Sequence, residues 1–345
     1  YVVQPIAKDP SSQQYTLSVS RELPGETVLE ATYLGNTGRH FPYSYNTNQD
    51  TLDPAYFGMG TTYLNTSVAN PYAGQVPGTL GAATTTRANL LRPYPYYTGV
   101  YQSYSRTQSY EGNYLYVTAT RRAQNGLQII GAYTYGKLMD VPIFDLLLNS
   151  PGAGPSAPNG PQNWRDPAGD YSVDLQDVTH RLTISGLYDL PFGPGKKFLS
   201  GGSVMDHLLG GFQFNVIMTA ESGRPLLFSG ASNQGVATRP NLLPGVSVKV
   251  SHPTTAKWFN TAAFVNPPDY SFGDVPRAYS HARGPARTNF DMSIFKTTPI
   301  THGVRLEFRV EAYNALNHTE LGQPNTAFVA GAPAEPTNPS EEGGS

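Results

Sequence analysis

Between Val304 and Ala312 the apolar residues Val304, Leu306, Phe308, Val310 and Ala312 alternate without a break with Arg305, Glu307, Arg309 and Glu311. Successive side chains leave a pleated strand on opposite sides, so this stretch makes a strand with one wholly apolar face and one wholly charged face. A helix would mix the two sets around its circumference. Two settings accommodate such a strand. One is a soluble sheet with a water-facing row of Arg and Glu; the other is a membrane barrel, in which lipid meets the apolar face and water the charged one. The other strands decide between them.

The same period of two recurs in pairs of segments. "QQYTLSVSREL" and "ETVLEATYLG" flank the tight "PGE" turn, with Tyr15, Leu17 and Val19 on one side and Thr16, Ser18 and Ser20 on the other. "NYLYVTATRRAQ" and "LQIIGAYTYGKL" flank Asn125-Gly126, a dipeptide that favours hairpins because both residues tolerate positive φ. "HRLTISGLYDL" pairs with "GGFQFNVIMTA" across a medium connection with room for a short amphipathic turn, and "NFDMSIFK" pairs with the Val304 strand across "TTPITHG". The reading is all-β: an antiparallel transmembrane β-barrel, partial, with about eight strands in four hairpins.

Between the hairpins lie three Gly-, Pro- and Asn-rich loops, Asn36 to about Ser109, Met139 to about Thr179 and Glu221 to about Arg287. Connections of that length are foreign to a compact domain. Strict alternation of short turns with very long loops, on strands of about 9 to 11 residues, is instead the pattern of outer-membrane barrels. By parity all three loops emerge on one side, the outer one, and "NALNHTELGQPN" begins another. Arg305, Glu307, Arg309 and Glu311 are then lumen-facing charges, since Arg or Lys facing lipid at midplane costs roughly 2 to 4 kcal/mol. Tyr33, Tyr133, Tyr135 and Tyr188 are placed for an interfacial aromatic girdle.

Composition narrows the functions. With 23 Lys and Arg against 25 Asp and Glu there is no basic field for nucleic acid, and with no cysteine there is no disulfide, thiolate metal site or cysteine nucleophile. Asp177 and His180 in "DVTHR" read as structural hydrogen-bonding residues at a strand entrance, "GPGKK" lacks the spacing of a phosphate loop, and the histidines show no paired spacing. No catalytic residue, metal site or cofactor is expected. Asn65-Thr66-Ser67 and Asn317-His318-Thr319 match the glycosylation pattern and are expected to be idle. Ligand contact is expected from the run Arg92, Tyr94, Tyr96, Tyr97, Tyr101, Tyr104 and Arg106, because Tyr faces stack on sugars or planar chelates and Arg grips carboxylates; Trp164 and Arg165 in "NWRDPAGD" come second. The alternative for the run is a loop packed by its own tyrosines.

The segments "QQYTLSVSRELPGETVLEATYLGNTGRHF", "NYLYVTATRRAQNGLQIIGAYTYGKLMD", "DVTHRLTISGLYDLPFG", "LLGGFQFNVIMTAESGRPL", "WFNTAAFVNP", "GPARTNFDMSIFKTTPI" and "RLEFRVEAYNALNH" resemble the C-terminal barrel portion of TonB-dependent outer-membrane receptors, in particular the Oar-like group. The resemblance implies a barrel of about 22 strands around a plug, importing a scarce nutrient such as a siderophore or carbohydrate. It implies as partners outer-membrane lipid, a small-molecule or oligosaccharide ligand, and the TonB system through a plug domain not in this chain. Residues 1–328 would be partial barrel and 329–345 a disordered or divergent tail where the family's closing strand belongs. With neither a starting Met nor a signal peptide, the chain reads as a piece of something longer. Two rivals to uptake are a barrel-borne adhesion protein and a secreted soluble all-β carbohydrate-binding module.

Overall fold

A computed structural model describes residues 2–3, 8–43, 47–103, 105–124, 126–141, 162–193, 196–199, 201, 204–230, 239–301 and 303–327. The expected tail, 329–345, lies outside them, as do Tyr104 and Asn125.

The alternating segments form β1 (Ser11–Leu23), β2 (Thr27–Tyr43), β3 (Ser105–Gln124), β4 (Leu127–Val141), β5 (His180–Asp189), β6 (Phe212–Glu221), β7 (Arg287–Thr301) and β8 (Val304–Ala312). They pair in chain order as one antiparallel meander whose edges are β1 and β8. The sheet is open. Gly126 and Gly303 take φ of 84° and 87°, the left-handed conformation that closes tight turns after β3 and β7. Between β5 and β6 the longer connection carries one short helix, Val204–Leu209.

Several strands outrun the sequence reading. β2 continues to Tyr43, β3 starts at Ser105 rather than near Asn113, and β7 runs from Arg287 to Thr301, so "TTPIT" is strand and not turn. The missed extensions, such as Asn36 to Arg39 opposite Ser109 to Gly112, are polar on both faces. Where both faces of a strand meet water, nothing enforces a hydrophobic period. Pro299, which has no N–H to give a ladder, sits at a register shift between Pro299 and Thr301.

Register turns the Val304 pattern into a property of the whole sheet. Val310 lies opposite Ile294, Ile294 opposite Phe214, Phe214 opposite Tyr188, and Tyr188 opposite Leu127. Six residues nearer the loops, Leu182 meets Tyr133, Tyr133 meets Val117, Val117 meets Ala31 and Ala31 meets Val19. Residues directly opposite share a face, so one apolar surface spans all eight strands, edged at its turn end by Arg21, Arg121 and Lys296. Phe308 is 63% exposed and Leu17 67% exposed on it. The opposite face carries Glu307, Thr297, Asn215, Ser185, Thr134, Thr118, Thr32 and Ser18. Tyr33, Tyr133 and Tyr135 stand on the apolar face toward its loop end, and Tyr188 toward its turn end. Three tyrosines lie flat over the glycine directly opposite: Tyr15 over Gly35, Tyr110 over Gly38 and Tyr114 over Gly136. A Cβ at Gly136 would come within 2.2 Å of the Tyr114 ring, so only glycine admits that packing.

Among the described residues the only buried apolar side chain of β1–β8 is Val141, at the loop end of β4. The core sits instead in the loops. Leu226, Phe228, Val248, Phe259, Ala263, Phe264, Val275 and Ala282 form one cluster, with Phe228 ring-to-ring at 4.4 Å from Phe264 and 5.0 Å from Phe259. Leu52, Leu64 and Tyr270 form a second, and Val173, Leu175 and Ala278 a third. The long loops are therefore a folded cap on one end of an inside-out sheet.

Candidate functional site

The cap is assembled from three directions. In the first loop, Asp53 caps the 3-10 turn Pro54–Met59 by accepting from the Ala55 N–H, and Thr86 caps the helix Arg87–Leu90 by accepting from the Asn89 N–H. These turns hold Phe57 and Leu64 against Tyr270 of the third loop, whose hydroxyl donates to Asn65 Oδ1 at 2.5 Å. The second loop is fastened to the first by Arg165, which donates to Thr51 Oγ1 and to the Thr51 carbonyl at 3.1 and 3.0 Å and lies 3.4 Å from Asp53. Trp164 supports it, its Nε1 donating to Thr51 Oγ1 and its ring lying 4.5 Å beneath the Arg165 guanidinium.

Three arginines of the third loop grip aspartates behind it. Arg239 pairs with Asp170, Arg277 with Asp140 of β4, and Arg283 with Asp177 at 2.6 Å. Both partners of the first two pairs are buried. Burial pulls the Arg239 pKa down from its ordinary value while Asp170 opposes the shift. Asp177 also accepts from the Leu138 N–H and from Thr179. His180 bonds Tyr133, not Asp177. The two residues of "DVTHR" thus hold different partners and do not bond each other.

Between the three loops opens a cleft of about 360 Å³ lined by Asp50, Asn65, Arg92, Gln162, Arg165, Tyr270 and Phe272 among others. Arg92 and Arg165, far apart in sequence, meet there. Arg92 donates to the Tyr97 carbonyl at 2.9 Å and faces Asp50 Oδ2 at 3.4 Å, while Asp50 Oδ1 accepts from the Tyr94 N–H at 2.9 Å. Burial raises the Asp50 pKa above the ordinary carboxylate value, against the Tyr94 N–H and Arg92. Tyr94, Tyr96 and Tyr97 form an exposed aromatic cluster, with Tyr96 and Tyr97 rings 4.8 Å apart and Tyr72 joining Tyr96 at 5.4 Å. Tyr101 and Arg106 stand away from the cleft, and Tyr104 lies outside the described residues. Tyr101 belongs to the short strand Tyr101–Ser103, paired with Thr47–Asn48, and Arg106 holds Asp9 and the Lys8 carbonyl at the start of β3.

Asp50, Gln162, Tyr270 and Phe272 escaped the sequence reading, and Asn65 entered it only as part of a glycosylation pattern. Each sits in a loop with no period, and only packing of three loops brings them to one place. On the polar face of β8, Arg309 is bracketed by Glu307 at 3.1 Å and Glu311 at 3.4 Å and lies 4.4 Å over the Phe295 ring. Three of the four charges of the row, Glu307, Arg309 and Glu311, thus pair along their own strand.

A family model described as the outer membrane beta barrel domain matches residues 1–341. The chain belongs to that family. Its place is the bacterial outer membrane, and the secreted soluble module is overturned, because that reading needs Phe308 and its neighbours buried. No curated protein matches. Among solved structures the chain is similar to the outer membrane transporter YddB from Escherichia coli, at 7% identity and a TM-score of 0.43 over 96% of this chain. The chain spans 31% of that transporter's length.

Proposed function

We propose that the chain is the C-terminal part of the barrel of a TonB-dependent receptor of the Oar-like group, which takes up a scarce nutrient. The observation that carries this reading is the cap: three long loops on one end of the sheet fold together around their own cores and leave a polar cleft holding Arg92 and Arg165. A loop set that served only to connect strands would have no need of such a core. The motif resemblance of "RLEFRVEAYNALNH" and the other segments supports the same assignment.

On this reading function is binding and gating, with no enzymatic step. The cap captures solute from outside. The water-facing row Arg305, Glu307, Arg309 and Glu311, in which Arg309 pairs with both glutamates, provides hydrated charge against which a plug is held, and TonB supplies the pull that moves it. The strands that complete the barrel, and the plug itself, belong to the rest of the protein. The test compares a deletion strain with its parent on media each limited in one nutrient, as chelated iron or as oligosaccharide carbon. The expected result is a growth defect on one medium, with uptake of that nutrient by the parent stopped by a protonophore. Normal growth on every medium, or uptake that survives the protonophore, overturns it.

A further inference from the structure

Two atoms in the cleft have no hydrogen-bond partner: Asp50 Oδ2 and Arg92 Nε. Asp50 is only 1% exposed, and its other oxygen is taken by the Tyr94 N–H. Arg92 spends a terminal nitrogen on the Tyr97 carbonyl, and its closest approach to Asp50, at 3.4 Å, leaves both of these atoms unbonded. Buried polar groups are normally satisfied, so an acceptor lacking a hydrogen beside a donor lacking an acceptor marks a place built for something else.

We infer that this pair binds a hydroxyl-bearing ring of a neutral oligosaccharide in the cleft, with Asp50 Oδ2 accepting from the ligand and Arg92 Nε donating to it. The inference rests on the cap being the ligand-capturing end of the receptor. Charge argues against the other classes. A carboxylate or phosphate would meet Asp50, a metal ion would meet Arg92, and the second cation, Arg165, is already balanced by Asp53. An apolar ligand would leave both atoms unbonded, at the cost of their desolvation. A hydroxyl both donates and accepts, and neighbouring hydroxyls on one ring satisfy both atoms together. The walls fit the same chemistry. Phe57, Tyr270 and Phe272 line the cleft, with Phe57 5.4 Å from the Phe272 ring and 6.3 Å from Tyr270, and such aromatic faces suit the C–H face of a sugar. A volume of about 360 Å³ lies within the range of small-ligand sites.

The experiment is binding of the purified full-length receptor to an array of neutral oligosaccharides alongside sulfated and uronic-acid ones, followed by titration of the best binder. Neutral glycans are expected to bind in preference to acidic ones. Asp50→Asn, which keeps the acceptor for the Tyr94 N–H and reverses the free one, and Arg92→Lys, which keeps the charge and removes Nε, are each expected to weaken the best neutral glycan tenfold or more. Protease resistance of the cap verifies that it remains folded. Preference for acidic glycans, no neutral glycan bound, or both variants within twofold of the parent with the cap intact overturns the inference. Any of these leaves energised uptake to be judged by the growth test, so the two readings fail separately.

Discussion

At the scale of single residues, the side chains that fix the loops are few and buried, and their removal is expensive. Arg277→Ala leaves Asp140 buried without its arginine, a change that typically costs about 3–5 kcal/mol. Arg309→Ala removes an exposed pair and costs about 0–1 kcal/mol, because water already screens Arg309 from Glu307 and Glu311. The first variant should therefore show fast proteolysis within the cap while the strands stay assembled, and the second should match the parent. Phe228, wholly buried between Phe259 and Phe264, is the apolar counterpart. Phe228→Ala is expected to cost the cap about 3–5 kcal/mol, read as a lowered midpoint of cap unfolding in denaturant. An unchanged midpoint would mean that the aromatic cluster does not hold the loop.

At the scale of elements, β8 gives the sharpest contrast, because two chemistries alternate on one strand. Val310→Arg, opposite Ile294 and one step inward from the Phe308–Lys296 pair, puts a cation on the apolar face at a cost of up to about 2 to 4 kcal/mol, so the yield of assembled barrel in the membrane should fall. Glu307→Gln changes a water-facing group and should leave the yield alone. Equal yields from both would contradict the assignment of faces. The same strand shows how far sequence carries. Its period is legible because lipid on one side and water on the other act on every residue of Val304–Ala312, whereas the distal parts of β2 and β3 stand in water on both faces and carry no period to read.

At the scale of the whole molecule, the meander places three long loops at one end and the short turns at the other. The segment after β8 joins the loop end, where Ser229 N–H donates to the Thr326 carbonyl. This chain contains no cysteine, so single introduced thiols report on sidedness. A membrane-impermeant maleimide on intact cells should label Tyr96→Cys, in the exposed aromatic cluster, and not Lys196→Cys, in the exposed connection between β5 and β6. Labelling of Lys196→Cys alone would invert the topology.

What the sequence determined by itself is the part governed by local periodicity: eight strands, their order, their two faces, and which connections are long. Each follows from side-chain alternation and turn chemistry, which act over a few residues, and the charged row from Arg305 to Glu311 was legible for the same reason. The tertiary structure alone decided the cap. Arg92 and Arg165 stood out as chemistry without a place, and Asp50, Tyr270 and Phe272 did not stand out at all. Their meeting depends on contacts between loops more than a hundred residues apart, and on the burial that withholds water from Asp50 and Arg92. No local pattern encodes that distance.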